Sequence, residues 1–438
     1  MNKEYSLKGN GSFLIKDYNQ MYPFSNFLPG VAGEKGIPLW VFYVNRGQGV
    51  VSFGIKDKDH SILEFFPANK AYTLASTFGF RTFIKINGTK YYEPFKVISE
   101  NKREEEMLIK SEGFEIKEVA SDIGLEVSVR YFTLPNTPVG GLVRVMTIKN
   151  ISQKKISLEG LDGLSRIIPF GSINPFLKDM SRTLEAWMHS SVLDDTALFR
   201  LIVDPRDVSH TKYINGANFN YSFYTDKKGK IIPYKIVDPT VVFAQDTSYL
   251  TPVNFYNNKF KTPLNQINCG RTPCCFNHFK WDIEPGQEQT LYSIYGASFK
   301  QDSIKELVNN VDEDYLEEKE CENHRVIDSI KNNAYCVSGS VQFDNYVKNT
   351  YLDNVLRGGY PYSPDKDGNL SEKSGTYYIF SRKHGDLERD YNFFQLSPSY
   401  FSEGEANYRD INQNRRMDLF FNPGLGYQNV IYFFNFLK

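Results

Sequence analysis

From residue 13 to about residue 299, the sequence consists of short apolar or alternating runs separated by Gly, Pro, Asn and Asp. Strands alternate their side chains between two faces, and turn residues at short intervals reverse the chain, so this pattern is typical of a large all-β domain. Asn87 and Gly88 both tolerate positive φ and therefore predict a hairpin turn between two of the runs. The predicted strands include residues 39–44, 50–55, 80–86, 125–132, 143–148, 241–243 and 291–295.

The pattern changes after residue 300. From residue 302 to about residue 333 there is no Gly or Pro, and Ile304, Leu307 and Val311 recur at helical spacing behind an Asp302-Ser303 cap. This tract predicts one long helix or a pair of helices. At 1.5 Å per residue it reaches about 45 Å, a length that suits a spacer crossing the face of a domain.

A second amphipathic helix is predicted over residues 342–356, with Gly358 and Gly359 ending it. Its predicted apolar face comprises Phe343, Tyr346, Val347, Tyr351 and Val355. Residues 360–378 are rich in Pro, Gly, Ser, Asp and Lys and predict a loop over the mouth of a site. The sequence thus divides into an all-β domain over residues 1–300, a helical linker over 301–341 and a third region over 342–438.

Charge and composition exclude several classes of function. Lys and Arg total 51 against 52 for Asp and Glu, so the net charge is -1 and no cationic field favours nucleic acid. No apolar stretch is long enough for a membrane span, and the first residues do not form a secretory signal. Five Cys, an odd number scattered along the chain, predict reduced thiols in the cytoplasm. Neither a metal site nor a cofactor is expected.

Two tracts, residues 383–392 and 407–416, are dense in carboxylates, amides and guanidinium groups. Each contains an Arg-Asp pair, Arg389-Asp390 and Arg409-Asp410. An ionised Asp accepts hydrogen bonds at both oxygens and an adjacent Arg holds it in place, which suits the vicinal hydroxyls of a hexose. On composition alone, ordinary surface ion pairs are the more common explanation of such clusters.

The sequence as a whole resembles the inverting glycoside phosphorylases typified by cellobiose phosphorylase, and most of all those acting on β-1,3-glucan oligosaccharides. The resemblance is carried by residues 11–18, 27–33, 40–48, 64–70, 79–83, 384–392 and 407–416. It implies a large antiparallel β-supersandwich, linker helices and an (α/α)₆ barrel that contains the active site. Because helices average about 11–12 residues, residues 342–438 suffice only for the start of such a barrel, and the expected fold is all-β plus α with an incomplete barrel.

The same resemblance implies a set of sugar-binding residues. Asp410 matches the family's Asp that binds the glucosyl unit at the cleavage site, and Arg409 is its neighbour in the motif. Further candidates for binding the substrate are Gln413, Arg389 and Asp390.

Two departures from the family pattern bear on activity. Many relatives carry a sugar-contacting Arg where Glu403 stands here, so substrate contacts are expected to differ. The family's general acid has no counterpart in these 438 residues, so no catalytic residue is assigned. Leaving-group protonation contributes roughly 10²–10⁴ in rate, and the chain alone is therefore expected to be inactive.

In the implied reaction, inorganic phosphate is a co-substrate that attacks a β-linked glucose oligosaccharide and releases α-glucose 1-phosphate with inversion. A phosphorylase needs an acid but no base, because phosphate is already a nucleophile. The expected protein partner is either a complementing chain that supplies the barrel or a second copy of this chain in a homodimer. Two alternatives stay open: a non-catalytic carbohydrate-binding or dimerising module, and a glycoside hydrolase using Glu388 or Glu405.

Overall fold

The computed structural model describes residues 4–33, 35–97, 103–206, 208–362, 375–379 and 418–435. The strands are β1 (Tyr5–Leu7), β2 (Phe13–Lys16), β3 (Ser25–Leu28), β4 (Leu39–Val44), β5 (Val50–Ile55), β6 (Ser61–Leu63), β7 (Phe80–Ile86), β8 (Lys90–Tyr92), β9 (Glu104–Ile109), β10 (Gly113–Ala120), β11 (Leu125–Thr133), β12 (Gly140–Asn150), β13 (Ile156–Leu164), β14 (Met188–Leu193), β15 (Thr196–Leu201), β16 (Ala217–Asp226), β17 (Gly229–Ile231), β18 (Tyr234–Ile236), β19 (Cys275–Ile283), β20 (Glu288–Ser298), β21 (Tyr360–Tyr362) and β22 (Tyr377–Ile379).

The α-helices are α1 (Ala68–Phe78), α2 (Asn174–Asp179), α3 (Pro239–Phe243), α4 (Gln301–Asn310), α5 (Glu313–Lys331), α6 (Val341–Gly358), α7 (Asp418–Phe421) and α8 (Gln428–Asn435). Short 3₁₀ turns occupy Tyr18–Gln20, Lys58–His60, Ser181–Trp187 and Pro423–Leu425. Within the described ranges, no helix is both long and apolar enough to cross a membrane.

Most strands belong to one large antiparallel sheet with the order β1-β2-β9-β10-β11-β12-β20-β16-β15-β14, to which β17 adds beside β16. A five-stranded sheet (β18-β19-β13-β7-β8) and a four-stranded sheet (β3-β4-β5-β6) are also antiparallel. The main hydrophobic core contains side chains from all three sheets, for example Val129 of the large sheet, Ile84 of the five-stranded sheet and Phe53 of the four-stranded sheet. This layered arrangement is consistent with a β-sandwich domain.

A buried ion pair crosses the core of the sandwich. Arg144 of β12 and Asp162 of β13 are both fully buried, and the Arg144 Nη2 to Asp162 Oδ1 distance is 2.6 Å. Arg144 also donates to the Tyr131 hydroxyl (2.5 Å) and to Gln48 Oε1 (2.6 Å), while Thr82 Oγ1 donates to Asp162 (2.7 Å). Burial opposes the guanidinium charge, but Asp162 outweighs it and the pKa of Arg144 is raised. These bonds tie residues of different sheets together.

A buried lysine continues this polar network. Lys235 Nζ donates to Asn277 Oδ1 over 2.7 Å, and Asn277 Nδ2 in turn donates to the Asp162 carbonyl and the Tyr295 hydroxyl, each at 3.3 Å. Burial lowers the pKa of Lys235 to about 7, although the interaction with Cys275 raises it in part. The interior of the sandwich therefore contains ionisable groups as well as apolar side chains.

The linker helices pack on the outside of the sheets. Ile304 and Leu307 of α4, with Leu316 near the start of α5, cover the outer face of the large sheet. Ile327 and Ile330 near the end of α5 join a separate core with Trp40, Phe42 and the second half of α6. Helix α5 thus spans about 28 Å and contacts two different sheets, as expected for a spacer.

Residues 13–299 consist mainly of antiparallel strands, as the pattern predicts, but helices α1, α2 and α3 interrupt them, so the region is not all-β. The hairpin at Asn87 and Gly88 is confirmed, with φ of 51° and 72°. The linker is a pair of helices rather than one, because Asp312 caps α5 by accepting from the Tyr315 amide (2.8 Å). Helix α4 begins at Gln301, one residue before the predicted cap.

Three sequence predictions are corrected. Residues 241–243 lie in helix α3 rather than in a strand, because the Asp238 side chain accepts from the Thr240 amide (3.0 Å) and Pro239 suits a first helical turn. The predicted loop over 360–378 begins and ends in the paired strands β21 and β22. On α6, Phe343 and Tyr346 are 52% and 66% exposed, so the buried face comprises only the second half of the helix. The described residues do not establish a helical barrel.

Candidate functional site

The predicted sugar-binding residues lie outside the described residues. These are Arg389, Asp390, Arg409, Asp410 and Gln413, and the alternative hydrolase residues Glu388 and Glu405 lie outside as well. Their proposed roles therefore stay predictions.

The described residues on either side of this segment are in direct contact. The Tyr378 hydroxyl, in β22, is 2.8 Å from Asp418 Oδ2 at the start of α7 and 2.6 Å from Asn429 Oδ1 in α8. Asn429 Nδ2 donates to the same Asp418 oxygen at 3.0 Å. Tyr378 is fully buried, so this triad ties β22 to α7 and α8.

A cavity of about 530 Å³ lies next to β22, where the sandwich, α5 and the paired strands β21 and β22 meet. Its volume falls within the range typical of small-molecule sites. The residues that line it are Gly33, Lys35, Asn136, Glu322, Val326, Ser329, Ile330, Tyr360, Tyr362 and Ile379.

Asn136 organises the polar side of this cavity. Its backbone N–H donates to the Ala32 carbonyl (2.7 Å). In its side chain, Oδ1 accepts from the Lys35 backbone N–H (3.2 Å) and Nδ2 donates to Glu322 Oε1 (2.6 Å). Asn136 has a φ of 46°, a left-handed conformation that Asn tolerates better than most residues. One side chain thus joins the loop after β3, the loop before β12 and helix α5.

Gly33 is required for this close approach. Its φ is +72°, and a Cβ at this position would lie 2.3 Å from Asn136 Oδ1. A side chain would therefore both strain the backbone and displace Asn136.

Glu322 is the carboxylate of the cavity. Its Oε2 is 2.7 Å from Lys319 Nζ, and Lys319 also donates to the Pro135 carbonyl (3.2 Å). Burial would raise the pKa of Glu322, but the hydrogen bonds from Asn136 and Lys319 outweigh it and lower the pKa. An ionised carboxylate accepts hydrogen bonds from hydroxyl groups, which is the chemistry of sugar recognition.

Tyr360 and Tyr362 supply aromatic side chains on β21. The Tyr360 hydroxyl accepts a long hydrogen bond from Asn333 Nδ2 at 3.4 Å. A tyrosine side chain combines an apolar ring face with a polar hydroxyl group. The ring face suits the apolar face of a pyranose ring, and the hydroxyl group suits the hydroxyl groups at its edge.

Sequence reasoning did not find this cavity, because its residues come from four distant parts of the chain. The available signal was local and weak: Asn136 directly follows Pro135 and lies two residues before Pro138, which predicts a turn but not the residues it contacts. Within the part of the chain that the structure describes, no group of His, Cys, Asp and Glu is arranged to hold a metal ion.

No protein-family model matches the chain, and no curated protein matches it. Among solved structures it is similar to a putative kojibiose phosphorylase from human microbiome, with 8% identity and a TM-score of 0.37 over 84% of this chain and 41% of that one. It is also similar to a bacterial glucoamylase complexed with acarbose, with 9% identity and a TM-score of 0.37 over 80% and 46% of the two chains. A third is a family GH92 α-mannosidase from Bacteroides thetaiotaomicron, with 9% identity and a TM-score of 0.24 over 85% and 41%.

The chain spans less than half the length of each of these three proteins. All three names describe enzymes of carbohydrate chemistry. Similarities at this level assign neither a fold nor an activity to the chain.

Proposed function

We propose that this chain belongs to a carbohydrate-active enzyme of the glycoside phosphorylase type that acts on β-linked glucose oligosaccharides. In this proposal residues 1–300 form the β-supersandwich, 301–341 the linker and 342–438 the start of a helical barrel. The observation that supports it within the described residues is the cavity between the sandwich, α5 and β21, with Glu322, Lys35, Tyr360 and Tyr362 around it.

The residues of the undescribed segment complete the proposed site. Asp410 would bind the glucosyl hydroxyls and Arg409 would hold its carboxylate, with Gln413, Arg389 and Asp390 as further contacts. Ile379, at the end of β22 and directly before this segment in the sequence, lines the cavity. The hydroxyl groups of an oligosaccharide would then bond to Glu322 and to these carboxylates at the same time.

The proposed reaction is a displacement at the anomeric carbon. A phosphate oxygen forms the new bond, the glycosidic bond breaks, and an acid protonates the leaving oxygen. Because the 438 residues contain no counterpart of that acid, we expect the isolated polypeptide to bind oligosaccharide without cleaving it. A homodimer, or a complementing chain that supplies the acid, belongs to the same proposal.

Calorimetric titration with a β-1,3-glucan oligosaccharide tests the binding step. Glu322→Gln keeps the shape of the side chain but removes its charge, and a hydrogen bond to a charged group contributes about 1.5–3 kcal/mol, so we expect affinity to fall by about ten- to a hundredfold. Tyr362→Ala should weaken binding as well. Tyr22→Ala, at an 87% exposed tyrosine outside the cavity, is the matched control and should bind as the unmodified chain does.

The reaction is tested by its products. Glucose 1-phosphate that appears only with phosphate, after a complementing polypeptide is added, would support phosphorolysis. Reducing sugar released without phosphate and abolished by Glu388→Gln would instead support a hydrolase, and saturable binding that never yields product would support a binding module. Absence of binding to any β-glucan oligosaccharide would refute the proposal.

A further inference from the structure

Two buried glutamates face each other on neighbouring strands, away from the candidate sugar site. Glu105 of β9 pairs directly with Glu118 of β10 in the antiparallel register, and the two residues are only 8% and 2% exposed. Directly paired residues of antiparallel strands project their side chains on the same face of the sheet, so the two carboxyl groups are neighbours. Two ionised carboxylates so placed repel each other, so one shared proton stabilises the buried pair.

Glu118 holds the chain that follows β8. It accepts from the Tyr92 hydroxyl (2.5 Å) and from the Phe95 amide (2.6 Å). Phe95 has a φ of 60°, a left-handed conformation that is unfavourable for a bulky residue and persists only where surrounding contacts enforce it. The Glu118 carboxylate is the contact that fixes the Phe95 amide.

Glu105 holds the turn between β4 and β5 through Asn19. Asn19 Nδ2 donates to both oxygens of Glu105, at 2.9 and 3.0 Å, while Asn19 Oδ1 accepts from the Gly47 amide (2.8 Å). The Tyr18 hydroxyl donates to the Gly47 carbonyl over 2.5 Å. Both backbone groups of Gly47 are thus fixed by residues that contact or neighbour the glutamate pair.

The two segments held in this way form part of the wall of one cavity. Gly47 and Gln48 line it together with Phe95, Lys96 and Val97, and its volume is about 210 Å³. Movement of either segment would change the shape and access of this cavity.

The surroundings favour a protonated pair near neutral pH. Burial is the largest cause that raises the pKa of Glu105, to about 7, with Glu118 and Asp17 raising it further against the hydrogen bonds from Asn19. The other charged or titratable groups that face the pair are Tyr18, Tyr92 and Arg103. Of these groups, Arg103 is the cation, and it is next to Glu118, with Arg103 Nε 3.9 Å from Glu118 Oε1.

We propose that Glu105 and Glu118 form a proton-operated latch that holds residues 92–97 and the turn at residues 46–48 closed around the cavity. With one shared proton the latch is closed. When the proton leaves to solvent, two adjacent carboxylates repel each other, the bonds to Phe95 and Asn19 are disturbed, and the cavity opens.

Hydrogen–deuterium exchange of the full chain, corrected for the intrinsic pH dependence of exchange, tests the latch from about pH 5.5 to about pH 8.5. We expect peptides covering residues 92–97 and 46–48 to lose protection in one step near neutral pH. Glu105→Gln should abolish this step, because the Gln amide donates to Glu118 and accepts from Asn19 without a titrating proton. Glu106→Gln, at the neighbouring and 44% exposed side chain, should keep it.

Infrared spectroscopy of the unmodified chain gives an independent measurement that does not depend on the folding of a variant. A protonated-carboxyl band should disappear on raising the pH with the same midpoint as the exchange step. Three results would each overturn the latch. The first is protection of both segments that is constant with pH, the second is a step that persists in Glu105→Gln, and the third is a difference between the midpoints of the two methods.

Discussion

The buried amine of Lys235 makes a quantitative prediction about stability and pH. In the unfolded chain its pKa has the ordinary value of 10.5, and in the folded chain burial lowers it to about 7. One pH unit corresponds to about 1.4 kcal/mol, so burying this amine destabilises the folded state by about 5 kcal/mol at low pH. Between about pH 7 and 10.5 the unfolded chain binds a proton that the folded chain does not, so the free energy of unfolding rises with pH in this window and falls as the pH is lowered through 7.

Lys235→Met removes the amine but keeps the length of the side chain. The variant loses the hydrogen bond to Asn277, which costs about 1 kcal/mol at every pH. It also loses the titration, so it should be the more stable form near neutral pH. Its advantage over the unmodified chain should shrink by about 3 kcal/mol between about pH 7.5 and about pH 9.5.

Urea denaturation of both proteins at several pH values in this range measures the difference directly, and other titrating groups cancel in the comparison. Lys280→Met on the adjacent strand β19, where the side chain is 68% exposed, is the control and should show no such trend. A difference between Lys235→Met and the unmodified chain that is constant with pH would refute the claim that the folded chain buries a neutral amine.

Two further predictions concern the sandwich and the cavity. Asp162→Asn leaves the guanidinium of Arg144 buried without its anion and should lower the free energy of unfolding, measured by urea denaturation, by about 3–5 kcal/mol. Asp282→Asn removes the anion of an exposed ion pair and should change the free energy of unfolding little. Equal effects of the two substitutions would show that burial is not the cause. Gly33→Ala should lower the melting temperature more than Gly88→Ala does. Both residues have a φ of +72°, but of the two only Gly33 has another atom within 4 Å of the new Cβ. Equal shifts in melting temperature would indicate that backbone strain alone matters.

Local sequence pattern was sufficient where structure depends on near neighbours. The hairpin at Asn87 and Gly88 follows from their tolerance of positive φ, and the linker helices follow from apolar spacing without Gly or Pro. The same reasoning failed at residues 241–243, where a short β-branched run suggested a strand but the cap at Asp238 and Pro239 begins a helix. Three residues are too few for periodicity to distinguish the two.

The sequence pattern gave no prediction for the polar residues inside the sandwich. Asp162 shares the inward face of β13 with Leu158 and Leu164, and Lys235 is buried on β18; both are tolerated there because partners from other strands satisfy them. The candidate cavity shows the same dependence, since Gly33, Asn136, Glu322 and Tyr360 meet only after the sheets and α5 have assembled. No spacing rule connects them.

The sequence by itself determined the order of an extensive strand-rich region and a helical linker, because hydrophobic period and turn residues act over a few positions. It also identified the tracts around Asp390 and Asp410 as candidates for sugar binding, which stay predictions. The tertiary structure decided which strands pair, such as β12 with β20, and which buried polar groups find partners. These choices join residues more than a hundred positions apart, and they depend on packing and desolvation that exist only in the folded chain.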